Sequence, residues 1–306
     1  MWGVIVGFAI ITFVILVGFV VARLGIAGVH AEGVLNRAAF FVTMPALLFT
    51  VLAQADLTVI FSSFIVVALV SAVASAGIFV LVSRLFFRLP VADTVIGAMT
   101  SGYLNASNIG LPLAVYVLGD ASYVAPVLLL QLLVFAPIIL TVLDIASRGR
   151  ASIAGIISQP VRNPMIIASF LGAIVSLTGV KLPEIVFEPF VLLGGAAVPM
   201  VLMAFGMSVH GSKPLRAGSG CRQIILASAL KSVGMPVIAY LCARFLLGLE
   251  GQHLLAAVLL AALPSAQNAY NFASRYQRGL VLSRDTILVT TILAVPILVI
   301  IAALLA

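Results

Sequence analysis

The sequence predicts an all-α polytopic membrane protein of ten transmembrane helices, built as two inverted five-helix repeats with discontinuous helices 4 and 9. Three observations lead there. Hydrophobic residues make up 63% of the 306 positions and charged residues 8%, with a mean hydropathy of +1.31. A soluble domain carries about 25% charged residues, so this set cannot cover a water-facing surface. Apolar stretches of about 20 residues recur along the chain, the length an α-helix needs to cross a hydrocarbon core. Two of these stretches are interrupted, at matching places, by Pro, Gly and amide residues. Strict alternation of apolar and polar residues is absent, which argues against an outer-membrane barrel and for an inner-membrane protein.

The first apolar run, 2–22, has no basic residue ahead of it and is longer than the core of a cleavable signal peptide, so it reads as a retained span. Spans 36–54, 60–83, 94–118 and 123–145 complete a first repeat over 1–145. The polar stretch from Ser147-Arg148-Gly149-Arg150 to Arg162 makes 146–163 a cytoplasmic linker. Spans 164–179, 189–209, 222–247, 254–275 and 286–305 form the second repeat, 164–306. Lys and Arg in short loops set orientation. One side carries Arg23, Arg37, Arg84, Arg88, Arg148, Arg150, Arg162, Lys213, Arg216, Arg222, Arg275, Arg278 and Arg284, and the other only Lys181 and Arg244. This asymmetry puts both termini outside, and it accounts for the net charge of +7 without nucleic acid.

Five spans per half require the second half to insert upside down, and the halves resemble each other. Leu81-Val82-Ser83-Arg84 parallels Leu241-Cys242-Ala243-Arg244; Gln131 to Pro137 parallels Thr290 to Pro296; Met44-Pro45 parallels Val198-Pro199. The offsets are 160, 159 and 154. Apolar sequences match one another cheaply, so the shared prolines and arginine carry this argument.

Spans 4 and 9 contain Asn105-Ala106-Ser107-Asn108-Ile109-Gly110-Leu111-Pro112 and Leu263-Pro264-Ser265-Ala266-Gln267-Asn268-Ala269-Tyr270-Asn271. Pro112 and Pro264 lack an amide hydrogen, and Gly110 tolerates φ values other residues avoid. Backbone loosened at membrane depth must be buried in protein or line a wet cavity. One such cluster fits a packing kink with amides as helix–helix glue. Two in equivalent places of inverted halves point to the central site of a carrier, with Asn105, Asn108, Gln267, Asn268, Asn271 and Ser265 as its polar groups.

Lys231 lies nine residues beyond Arg222, about 13 Å deeper along the same helix. An intramembrane lysine must face a cavity or a partner. It is a cation for an anionic substrate, a proton-coupling group, or a structural tie to carbonyls of a broken helix. Asp56, Asp93, Asp120, Asp144 and Asp285 all map to span ends, which favours anions over cations as cargo. Cys221 and Cys242, 21 residues apart on one span, are too distant to pair. No catalytic, metal-binding or cofactor motif is present: no HExxH, Walker A, CxxC, or Ser/His/Asp set at depth.

The run Asn105 to Pro112, Leu263-Pro264-Ser265-Ala266, and the segment from Asn36 through Met44-Pro45-Ala46-Leu47-Leu48-Phe49 resemble the auxin efflux carrier (PIN-like) family, including bacterial members described as malonate or malate carriers. The resemblance covers essentially the whole chain. It implies a fold shared with bile-acid and sodium/proton transporters, in which helices 4 and 9 cross at the substrate. It further implies a scaffold of 1–57 and 164–212, dimeric through spans 2 and 7, and a mobile transport unit of 58–145 and 213–306 moving as an elevator. The resulting expectation is a carrier of small organic anions, by uniport or proton coupling. A sodium-coupled symporter of amphipathic acids is the alternative on the same fold. A non-transporting receptor lacks a domain to signal through, and an enzyme lacks catalytic groups.

Overall fold

A computed structural model gives the structure of residues 2–28, 30–54, 57–148, 164–210 and 220–305. Most of the expected linker, 149–163, lies outside these described residues, as do Lys213, Arg216 and Asp56. In chain order the helices are α1 (Trp2–Arg23), α2 (Ala31–Gln54), α3 (57–87), α4 (Val91–Gly102), α5 (Ala106–Leu118) and α6 (121–148). They continue with α7 (Pro164–Thr178), α8 (184–209), α9 (Cys221–Leu246), α10 (Gly251–Ala261), α11 (Asn268–Tyr276) and α12 (Leu280–Leu305). Among the described residues there is no sheet. Six helices, α2, α3, α6, α8, α9 and α12, are long and apolar enough to cross a membrane. The protein is thus a polytopic, all-α membrane protein, as helices that satisfy their own backbone in lipid require.

Among the described residues seven turns open to i→i+5 hydrogen bonds; four of them, Ala39–Thr43 in α2, Ala106–Gly110 in α5, Gln131–Phe135 in α6 and Leu230–Gly234 in α9, lie inside helices that continue beyond them. Each of these four ends two residues before a proline, at Pro45, Pro112, Pro137 and Pro236. Proline removes one i→i−4 bond and its ring presses on the carbonyl four residues back; an extra residue in the preceding turn relieves both. These prolines therefore loosen a helix without ending it.

Two helices start earlier than hydropathy suggests. α2 begins at Ala31, not 36, and α12 at Leu280, not 286. Their first turns are polar, with Glu32, Asn36 and Arg37 in one and Ser283, Arg284 and Asp285 in the other. Asp285 is fully buried and accepts from Arg284 Nε at 2.7 Å, near the positive end of its helix. It lies inside the helix, a turn and a half from its start.

α1 packs along the second half of α8, and α2 packs on α7 and on the first half of α8. α3 packs on α4 and α9, and α9 also contacts α10 and α12. Close approach of α1 to α8 depends on glycine. A Cβ at Gly206 would fall 2.0 Å from Ile15 O, and one at Gly18 2.2 Å from Met203 O. The largest core cluster joins α2, α3, α5, α6, α9 and α10 around Leu111, Leu113, Val124, Leu259 and Leu263.

Candidate functional site

α4 stops at Gly102 and α10 at Ala261, and the chain runs on in extended form through Tyr103-Leu104-Asn105 and Leu263-Pro264-Ser265-Ala266. Backbone released this way needs partners, and each stretch supplies them to the other. Asn105 N–H donates to Pro264 O at 2.8 Å, Ala266 N–H donates to Tyr103 O at 3.0 Å, and Leu104 and Ser265 form an antiparallel bridge. The two interruptions thus meet in one short sheet-like contact. Side chains fix it further. Gln131 Nε2 donates to Leu104 O at 2.9 Å, the Tyr103 hydroxyl donates to Gln131 O at 3.1 Å, and Ser265 Oγ donates to Thr100 O at 2.5 Å. Thr290 Oγ1 accepts from Ser265 N–H at 3.1 Å.

Chain direction resumes as helix on both sides. Asn105 caps α5, its Oδ1 accepting from Asn108 N–H at 3.2 Å. α11 begins at Asn268, whose amide interacts with the Tyr103 hydroxyl. Two helix N-termini therefore open beside each other, each with a partial positive charge.

Beside this contact lies a cavity of about 540 Å³, within the range of small-molecule sites. Of the residues expected from sequence, Asn105, Asn108, Gln267, Asn268 and Asn271 line it. Asn36, Tyr103, Ser107 and Gln131 add polar groups, and the first turns of α2 bring Glu32 and Arg37. The Gln267 side chain faces the Glu32 carboxylate.

The other five expected residues stand behind the wall. Ser265 is buried, and its hydroxyl is committed to Thr100. Pro264 contributes its carbonyl to the bridge. Gly110 has an ordinary helical φ of −65°, so backbone freedom is not its role. A Cβ there would fall 2.9 Å from Leu263 Cδ1 and 3.0 Å from Val124 Cγ2, so it makes room for the link after α10. Pro112 lies inside α5, seven residues past Asn105, and widens the helix rather than breaking it. Lys231 is fully buried in the widened turn of α9; its Nζ donates to Ala261 O at 2.7 Å and contacts Met235 Sδ at 3.2 Å. Ala261 ends α10, where carbonyls lack helical partners, so the amine closes the C-terminus of the interrupted helix.

Glu32, Arg37, Tyr103 and Gln131 escaped the sequence reading. A signal existed for α2. Gly33, Arg37, Phe40, Phe41 and Met44 fall at helical spacing on one face. That face continues past the point where hydropathy ends the span. Among the described residues no three His, Cys, Asp or Glu side chains gather as a metal site.

A polytopic helical protein with a polar cavity at two facing helix breaks is a membrane transporter in class. Residues 4–159 and 150–302 match the family described as membrane transport protein, and the chain belongs to that family. The family is one of transporters, not enzymes. The chain is 28% identical over 301 residues to a Rhizobium meliloti (strain 1021) protein named "Putative malonate transporter", covering 92% of this chain and 89% of that one. It is 27% identical over 291 residues to a Methanothermobacter thermautotrophicus protein named "Uncharacterized transporter", covering 92% and 91%.

Proposed function

We propose that the protein is a secondary carrier of small organic acid anions, of the size and charge of malonate or malate. One observation carries the reading: two helix N-termini and their side-chain amides meet at a single cavity that Arg37 also lines. Helix N-termini and amide donors suit carboxylate oxygens, and a guanidinium binds them in pairs. Asn105, Asn108, Asn268 and Asn271 are the proposed substrate ligands, with Gln267 at the edge. Lys231 is assigned to positioning, since its amine is spent on Ala261. The malonate assignment of the Rhizobium relative supports the substrate class.

The proposal includes ten spans in two inverted repeats, with α4–α5 and α10–α11 each counted as one broken span. The scaffold comprises 1–57 and 164–212 and the elevator unit 58–145 and 213–306, with a homodimer through spans 2 and 7, in the inner membrane with both termini outside. The packing of α1 and α2 against α7 and α8 supports this division. In that orientation the cavity, which reaches the first turns of α2, opens to the cytoplasm. Transport is by uniport or proton coupling.

The test is uptake of radiolabelled malonate into proteoliposomes. Saturable uptake that falls at least tenfold in Asn268→Ala supports the reading. No uptake across a panel of short mono- and dicarboxylates overturns it, and strict dependence on sodium transfers it to a sodium symporter.

A further inference from the structure

We propose that Glu32 is the proton-coupling carboxylate of this carrier, binding one proton as the organic anion enters the cavity and giving it up as the anion leaves. The inference rests on the organic-anion reading above and names its coupling ion.

Glu32 sits in the first turn of α2 and lines the same cavity as Asn105, Asn108, Gln267 and Asn268. Among the described lining residues it is the one carboxylate, placed beside donors that suit an anion. Like charges in one cavity disfavour each other's ionised form. An arriving carboxylate therefore favours protonation of Glu32, and protonated Glu32 favours the anion.

Gln267 makes this coupling local. Its side chain faces the Glu32 carboxylate, and it immediately precedes α11. While Glu32 is ionised, the Gln267 amide is held toward it. Once a water-borne proton bonds to a Glu32 oxygen, that attraction weakens and the amide is free to donate to the substrate. The reverse step returns the proton to water when the anion departs, so one proton accompanies each anion and nothing else is consumed. The contact also spans α2 and the link to α11, which the elevator proposal assigns to the fixed and the moving unit.

The other charged or titratable groups around Glu32 are few among the described residues. Arg37 on the same helix and Tyr103 from the α4–α5 link line the cavity. The second half of α8, which packs on α2, has no charged residue and is followed by His210, whose ring packs on Phe19. From α7 the cavity receives Met165, and from α11 only amides. No other carboxylate among the described residues lines this cavity.

The experiment uses the full chain in proteoliposomes with a trapped pH dye, membrane potential clamped to zero, and labelled malonate. The wild type should accumulate malonate severalfold above equilibrium when the outside is acid, with the lumen acidifying as malonate enters. Glu32→Gln should still exchange malonate for malonate, but with no accumulation, no acidification and no response of exchange to pH. Accumulation persisting in Glu32→Gln overturns the proposal. If the variant does not fold, dicyclohexylcarbodiimide, which attacks protonated carboxyls, decides on the wild type. Labelling mapped to Glu32 with loss of acid-driven accumulation supports it, and accumulation surviving full labelling there overturns it. Malonate exchange without proton movement in the wild type sinks this inference alone. Absence of exchange with any acid of the panel sinks the carrier reading and this inference together.

Discussion

Replacing Lys231 separates a residue that holds the site together from one that touches the substrate. Lys231→Met keeps most of the buried stem and removes the donor to Ala261 O, a bond of 2.7 Å at the end of α10. Leaving a buried carbonyl without its donor costs about 1–3 kcal/mol. Lys231→Ala also deletes three buried methylenes, at about 0.8 kcal/mol each, for a total of about 3–5 kcal/mol. At about 2–4 °C per kcal/mol for a large chain, thermal unfolding in detergent should drop by about 2–12 °C in Lys231→Met and further in Lys231→Ala. Malonate affinity, read by the ligand's stabilisation of the folded protein or by direct binding, should stay within about threefold in the methionine variant, because Nζ does not line the cavity. A tenfold loss of affinity, about 1.4 kcal/mol, with an unchanged unfolding midpoint would refute this reasoning and return Lys231 to the substrate.

Arg37→Gln removes the guanidinium from the cavity and should weaken malonate binding by about 5–30-fold, as for a pair interaction of about 1–2 kcal/mol in a wet site. The effect should shrink as salt rises, and a binding titration at two ionic strengths checks both points. Gly206→Ala puts a Cβ 2.0 Å from Ile15 O, which is backbone and cannot swing aside. It should destabilise by about 1–3 kcal/mol by separating α1 from α8, visible as a lower melting midpoint, whereas Gly195→Ala, with open space at its Cβ, should leave the midpoint unchanged.

Membrane class was legible because lipid leaves little choice: a chain this apolar must satisfy its backbone within helices. That the amides gather at one cavity was legible for a related reason. Amides at Asn105, Asn108, Gln267 and Asn268 are costly beside lipid, so two clusters of them imply something polar to face, and all four line one cavity. Details failed where a residue type has two physical uses. Pro112 suggested a break because proline cannot continue the hydrogen-bond ladder, but one extra residue in the turn before it restores the helix. The actual break at Tyr103–Asn105 is held open by strand-like pairing with Pro264 and Ala266, a contact 159 residues away in sequence for the Asn105–Pro264 bond and invisible to any local pattern. Gly110 suggested unusual backbone and instead provides room for Leu263.

Lys231 and Glu32 differ in what counting along a helix can reach. Depth along a helix follows from counting residues, so Lys231 could be placed well inside its span, but the direction of its amine depends on where α10 stops, and that is set by the pairing of the two links. Glu32 falls ahead of the span drawn at 36–54, because hydropathy treats a charged first turn as loop. That turn faces a cavity, not lipid, so its polarity extends the helix in function without extending it in hydropathy. The buried amine of α9 is thus tied to backbone, and the charged side chains that line the cavity enter from the first turns of α2. The proposed carrier would keep Lys231 on backbone whatever its cargo and leave the opposite charges of Arg37 and Glu32, both lining the cavity, to respond to it.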